Sequence, residues 1–402
     1  MLDDSELFTD SGRGFQSSVF VTPLLEKISS QSSIADQTRS IDESLIRELK
    51  DNDIMRISAS SELGGLGESV VGIANELRAI APRCTSTAWC MWNHLCTFHH
   101  FAGLFGPKNK NFLRQIVTNK EWVCFPAGAS SKIIGSKTDK GIRLKGVAAF
   151  GSGSRYSEWA GVVFNEDWSE DQTPCFSMVD LRKSSVRVEQ TWEAMSVRAS
   201  STDHIYYDAT VIPEERVVPW PLRHRENLRD PEYHVINDRY REDWVGLSVV
   251  WLGAMATGLV EVSLNEVAAS IKERIAIFGT KMVDKPTIHI NLGRARALLN
   301  AATDTVYAAM IETDTRITQN IFPVEGDYFR QTSSGMQAVL LCEEAMKLIL
   351  RVSGGNGLRE GTDFERRYRD FQAFPLHING HADRITEQLG RISLGLESQN
   401  VF

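Results

Sequence analysis

The sequence lacks several features that would assign it quickly. Its six cysteines, Cys84, Cys90, Cys96, Cys124, Cys175 and Cys342, form no Cys-x-x-Cys pair and no compact secreted-domain spacing, which excludes a zinc knuckle and a disulfide framework. Reduced thiols in a cytoplasmic protein follow from that. Basic charge is not in surplus: 44 Lys and Arg against 52 Asp and Glu leave a net charge of -8, so no concentrated basic surface is expected and nucleic acid is not the expected partner. The opening MLDDSELFTD is acidic and has no apolar segment, so no export signal is expected. Uncharged runs are scarce. One, Trp244 to Val260, covers seventeen residues, is short for a bilayer span and continues into EVSLNEVAASIKER, so it reads as a buried bundle helix and no membrane is expected. Internal repeats and low-complexity tracts are missing too, and GGLG at 64–67 follows no strand, which excludes a dinucleotide fingerprint there.

What is present points to a large globular protein. At 402 residues, with 42% hydrophobic and 24% charged residues, the chain suits two or three packed domains and a small-molecule ligand. Three textures follow one another. Residues 1–120 read as a helical domain: ESLIRELKDNDIM places Leu45, Ile46, Leu49 and Ile54 near helical spacing, and ESVVGIANELRAIA repeats the pattern. Residues 121–222 read as a β-domain, with KGIRLKGVAAF alternating and VRVEQTW and HIYYDATVIP bounded by turn residues. Residues 223–402 read as a C-terminal four-helix bundle over Trp244–Ile277, Pro286 to about Arg316, Gly335–Val352 and Tyr368–Leu394. Segregated strands and helices exclude a doubly wound sheet and predict an α+β architecture.

Two clusters carry candidate chemistry. In GGNGLREGTDFERRYRDFQAFPLHINGH, Arg366, Arg369 and Asp370 share one helix face, which suits either a surface ion-pair set or a functional one. His377 and His381 have metal-ligand spacing, but no glutamate stands between them and no third ligand follows, so no metal is expected. Pro375 favours a kink or a helix start before His377. The second cluster, CMWNHLCTFHHFAGLFG, holds His94, His99 and His100 among aromatic residues and leaves open a core role or a substrate-facing one.

Five strings in order, ELGGLGE at 62–68, GIRLKGVAAFGSGSRYSEW at 141–159, TWEAMSVRASSTDHIYYDATVIPEERV at 191–217, SGGNG at 353–357 and RRYRD at 366–370, resemble the acyl-CoA dehydrogenase fold over nearly the whole chain. The resemblance implies a flavin between the β-domain and the rear bundle, in a homotetramer. It puts FPAGAS (Phe125, Gly128, Ser130) and SGS (Ser152, Gly153) on strands facing the ring, together with Trp192. It sets Arg274 at the flavin phosphate, one residue off the usual spacing, and Gly354 and Gly355 at the nucleotide of a neighbouring subunit, with Arg366 from RRYRD also at the cofactor.

The fold hosts more than one chemistry, so the site must decide between them. Acyl-CoA dehydrogenases carry a carboxylate base, yet the two places where the family has it fall at Ile378 and near Ser248, with Glu242 and Asp243 a turn or more earlier. His377 instead resembles the histidine of two-component flavin-dependent monooxygenases, such as the oxygenase component of 4-hydroxyphenylacetate 3-hydroxylase. That resemblance implies reduced FMN or FAD from a separate NAD(P)H-dependent flavin reductase, oxygen as co-substrate, and a flavin C4a-hydroperoxide that hydroxylates a small aromatic molecule of phenol or indole type. It implies Ser152 at flavin N5, His377 at the ring, and a front-helix histidine near the substrate, His99 before His100. N-hydroxylation of an amine or amino sugar, acyl-CoA dehydrogenation and a non-catalytic scaffold are the alternatives.

Overall fold

The computed structural model describes residues 15–126, 132–170, 174–220 and 224–399. The described front segment is helical: α1 (Leu25–Thr38), α2 (Glu43–Asp51), α3 (Val70–Ile80), α4 (Thr85–Phe105) and α5 (Lys110–Thr118). Helix α2 shows how local sequence builds these elements. Asp42 accepts a hydrogen bond from the Ser44 amide as N-cap, a contact worth about 1 kcal/mol, and the face bearing Leu45, Ile46 and Leu49 is buried. Helix α4 differs. Its 21 residues carry no charge and all are buried, as expected of a helix that is apolar all round.

The strands follow: β1 (Val123–Cys124), β2 (Lys132–Thr138), β3 (Gly141–Gly151), β4 (Trp159–Glu166), β5 (Pro174–Asp180), β6 (Val186–Glu189), β7 (Asp203–Ile212) and β8 (Val218–Pro219). They form one sheet in the order β6-β7-β3-β2-β4-β5-β8, with β1 beside β4. Pairing is antiparallel except for β2 with β4 and β1 with β4. The β3–β7 register slips between Ala148 and Gly151, the ladder closes on the pair Gly151–Asp203, and the chain turns at Ser152.

A short helix α6 (His224–Arg229) leads to the rear bundle of α7 (Trp244–Lys272), α8 (Pro286–Gln319), α9 (Glu325–Ser353), α10 (Asp363–Phe371) and α11 (Ala382–Ser393). The uncharged run lies in α7, which starts where Asp243 accepts from the Val245 and Gly246 amides and is buried along most of its length. At Gly335 the backbones of α7 and α9 nearly touch: a Cβ there would sit 2.3 Å from the Val249 carbonyl oxygen, so only glycine fits.

Three bundle boundaries differ from the sequence reading. Helix α7 ends at Lys272 and not at Ile277, which opens a separate short helix, Ile277–Gly279. Helix α9 begins at Glu325 and not at Gly335, because the Asp327 carboxylate accepts from the Val324 amide at 2.8 Å and caps an earlier turn. The expected helix over Tyr368–Leu394 is two helices. Pro375 falls in the gap between α10 and α11, and His377 has extended backbone there. Front and rear helices share one hydrophobic core, from Ile28 and Leu49 to Trp251, Leu348 and Phe374.

Candidate active site

Helix α4 presents two tryptophans one turn apart, and each reaches a different part of the molecule. The Trp89 indole N–H donates to Ser152 Oγ at 3.2 Å, in the turn that follows β3. Ser152 Oγ is paired with Thr202 Oγ1 at 3.0 Å, and Thr202 Oγ1 with Ser200 Oγ at 2.7 Å. The Trp92 indole N–H donates to the Ser248 carbonyl at 2.8 Å, on α7. Ser248 Oγ accepts from Asn379 Nδ2 at 3.0 Å, and the Asn379 amide donates to His377 Nδ1 at 3.3 Å. The His377 ring meets both indoles edge-on, at centroid distances of 5.5 Å to Trp89 and 4.7 Å to Trp92.

Ser152 and His377 are thus brought to one place by the same indole. The residue as a whole is half-buried, and its ring packs against both indoles. Burial, with a smaller contribution from Arg384, lowers its pKa to about 4, so it is neutral at physiological pH. Because Nδ1 accepts from an amide, the proton of the neutral ring belongs on Nε2. The SGS string lies in a turn and not on a strand. Gly153 has φ 79°, donates its amide to the Ser200 carbonyl at 2.8 Å and opens the short helix Ser154–Tyr156.

The other expected residues fall into separate groups. Arg274 donates to the Ser353 carbonyl at 2.7 Å, beside Gly354, and nothing lies within 4 Å of the Cβ position of Gly355, so a guanidinium and open glycine backbone adjoin. His100 stacks on Trp244 at 4.5 Å and neighbours Phe125 at 5.7 Å. His99 is turned away to the Glu242 carbonyl at 2.8 Å, about 10 Å along α4 from Trp92. Trp192 donates its indole N–H to the Val197 carbonyl at 3.2 Å and meets Phe150 edge-on at 6.4 Å. Gly128 and Ser130 lie outside the described residues. No group of three potential metal ligands occurs among the described residues.

Arg366, expected at the cofactor, is committed elsewhere: it donates to Ser32 Oγ on α1 at 3.0 Å and pairs with Asp363. The Arg366, Arg369 and Asp370 set is also not a surface one. Arg369 grips Asp36 through two bonds of 3.0 and 2.9 Å, and buried Asp370 accepts the Val197 amide at 2.7 Å. Val197 is β-branched and has φ 43°, a strained conformation that this bond helps to hold. The same loop carries Ser200 and Thr202, so Asp370 ties the bundle to the partners of Ser152.

Burial raises the Asp370 carboxyl to about 7. The stability carried by its neutral form is therefore fully present below the unfolded value near 4 and is lost as pH rises through 7. Asp370→Asn keeps an acceptor for Val197 without the charge. Its thermal midpoint at pH 8 is expected to exceed that of the wild type by roughly 2–6 °C, with little difference at pH 4. Equal midpoints at pH 8 would remove this account of Asp370.

Trp89, Trp92, Thr202 and Asn379 were not among the residues expected from the sequence. The available signal was Trp-x-x-Trp on a helix without charge, where a buried indole needs an acceptor.

The residues suit a flavin on two counts. A hydroxyl and a neutral imidazole border an aromatic wall, and the Arg274 guanidinium beside Gly354 offers donors to a phosphate. Residues 250–381 match the family described as acyl-CoA dehydrogenase, C-terminal domain. The chain is 25% identical over 358 residues to the pigment production hydroxylase of a Rhodococcus species, which spans 87% of this chain and 89% of that protein. It is 22% identical to the p-hydroxyphenylacetate 3-hydroxylase, oxygenase component, of Acinetobacter baumannii, over 94% of this chain and 88% of that one. Among solved structures, XiaF from a Streptomyces species, in complex with FADH2 and glycerol, superposes with a TM-score of 0.84 at 20% identity and covers 94% of this chain and 95% of its own. The chain has the acyl-CoA dehydrogenase fold, and the proteins it is similar to along most of its length include the oxygenase component of a hydroxylase.

Proposed function

We propose that this protein takes up reduced FMN or FAD from a separate NAD(P)H-dependent flavin reductase and hydroxylates a small aromatic substrate of phenol or indole type. We further propose that it acts in the cytoplasm as a homotetramer. When bound, the reduced flavin activates oxygen so that one oxygen atom can be passed to the substrate. The observation that carries this reading is that Ser152 and His377 both meet the Trp89 indole.

Each residue then has a task that its surroundings permit. Ser152 offers a neutral hydroxyl to the ring edge without adding a charge. His377 keeps a proton on Nε2 and can donate it in a hydrogen bond to an oxygen, or exchange it with a phenolic substrate. The indoles of Trp89 and Trp92, with Phe374 edge-on to Trp89 at 5.7 Å, keep water from the pocket. His100 and Phe125 supply a flat apolar wall for an aromatic substrate.

A thioester dehydrogenase would need a carboxylate base at this place. Glu242 is bound to Arg316 and Gln331, Asp243 caps α7, and Asp370 holds Val197. The position eight residues after Asp370 is Ile378, which is exposed.

The test begins anaerobically with reduced flavin and protein, to which oxygen is added. A transient flavin absorbance is expected that outlasts the same mixture without protein. Ser152→Ala should shorten its lifetime by about tenfold or more. Bleaching of the oxidised flavin complex by an acyl thioester in the absence of oxygen would overturn the reading in favour of a dehydrogenase.

A further inference from the structure

Ser152 has one proton and two lone pairs, and the structure accounts for most of that capacity before any ligand arrives. An indole nitrogen can only donate, so the 3.2 Å contact with Trp89 Nε1 must occupy a lone pair of Ser152 Oγ. The 3.0 Å contact with Thr202 Oγ1 takes either the second lone pair or the proton. One hydrogen-bonding position is left. Thr202 is itself held by Ser200 Oγ at 2.7 Å, and Ser200 is fully buried, so the hydroxyl row ends inside the protein.

We propose that Trp89 is a positioning residue that acts through Ser152: by filling one lone pair it fixes the hydroxyl and leaves a single position for the ring edge of a flavin. The inference rests on the proposed function and adds a residue to it. The same indole packs edge-on against His377 at 5.5 Å and against Phe374 at 5.7 Å, so one buried side chain sets the spacing between the hydroxyl and the imidazole. Trp92, although only one turn away, is bonded to the Ser248 carbonyl and cannot replace it. Among the described residues the hydroxyl row from Ser152 through Thr202 runs no further than Ser200. A ligand hydrogen-bonded to Ser152 is therefore not joined to water along this row.

Trp89→Phe keeps an aromatic ring and deletes the donor together with part of the buried ring volume. The measurement is the dissociation constant of FMN and of FAD, oxidised and reduced, for the wild type, W89F, S152A and the double variant. W89F is expected to weaken binding of the preferred flavin roughly fivefold, the effect of one hydrogen bond. The double variant should be no weaker than S152A alone, because Trp89 acts through Ser152. W89F binding as tightly as the wild type, or losses that multiply in the double variant, would overturn the proposal.

A second readout needs no flavin. The ultraviolet resonance Raman band that reports indole N–H hydrogen bonding, assigned to Trp89 by difference against W89F, should move toward the unbonded position in S152A. No movement would show that the bond to Ser152 is absent. If W89F does not fold, Thr202→Val tests the row from its other side: it should also weaken flavin binding and add nothing to S152A, and multiplying losses would count against the proposal. A wild type that binds neither flavin in either redox state would instead sink the proposed function.

Discussion

Replacing His377 by alanine is expected to reduce the substrate oxygenated per reduced flavin by about 10²-fold, while oxygen continues to oxidise the flavin. In the proposed function the imidazole exchanges a proton with the substrate, and the Asn379 backbone amide, Trp89 and Trp92 hold its ring. Removing it leaves Ser152 with Trp89 and Thr202, so flavin binding should change far less than product yield. The measurement is product formed against flavin oxidised under excess oxygen. Wild-type yield in His377→Ala would take His377 out of the chemistry. The pH dependence has a definite sign. Burial holds His377 and His94 near 4 and hence neutral, so wild-type yield should show no imidazole step near pH 6.5. Both groups contribute stability that is present above the unfolded value near 6.5 and is lost as pH falls toward 4.

The largest loss of stability is expected from Arg316→Ala, about 3–5 kcal/mol. Arg316 donates from Nε and Nη2 to the two carboxylate oxygens of Glu242, each at 2.9 Å, and from Nη1 to Asp327 at 3.1 Å. Glu242 is 2% exposed, and its other partner is Gln331 Nε2 at 2.8 Å. Burial already pushes its carboxyl above the ordinary range with the guanidinium present. Without that partner a buried carboxylate must take up a proton or remain uncompensated, the start of α7 loses its tie to α8, and α8 loses its bond to Asp327 on α9. Glu242→Gln should cost clearly less, since Arg316 keeps Asp327 and the amide keeps hydrogen bonds. Thermal unfolding of the two variants is the check. An Arg316→Ala midpoint equal to that of the wild type would show that the pair contributes nothing. Oxygenase activity retained in Glu242→Gln would also separate this carboxylate from any role as a base.

Periodicity and capping residues carried most of the architecture into the sequence. The helical front, the strands between Val123 and Pro219 and the long rear helices follow apolar spacing, which depends on local sequence alone. Two of the three differing boundaries escaped for local reasons of another kind. Asp327 caps a turn whose apolar pattern is weak, and Pro375 interrupts a pattern that continues on both sides of it. The roles of charged residues were harder to read. Arg366, Arg369 and Asp370 occupy one helix face in any case, but whether that face meets water or α1 and the 190–202 loop depends on segments more than 150 residues distant in the chain.

The site shows the same division. His377 and Ser152 were legible because each stands in a motif. Their meeting was not, since it is made by Trp89, by the turn after β3 and by the break after α10, three segments remote from one another in the chain. His99 and His100 are adjacent in sequence and indistinguishable by pattern. Only packing sends one to the Glu242 carbonyl and the other to the face of Trp244. By itself the sequence determined the order of the elements, the residues able to carry chemistry and the apolar helices that had to be buried. The tertiary structure alone decided which of those residues come into contact, which indole bonds to which carbonyl or hydroxyl, and which imidazole loses its charge. The physical reason is that hydrogen-bond partners and desolvation arise between segments distant in the chain, whereas helix and strand periodicity arises within one.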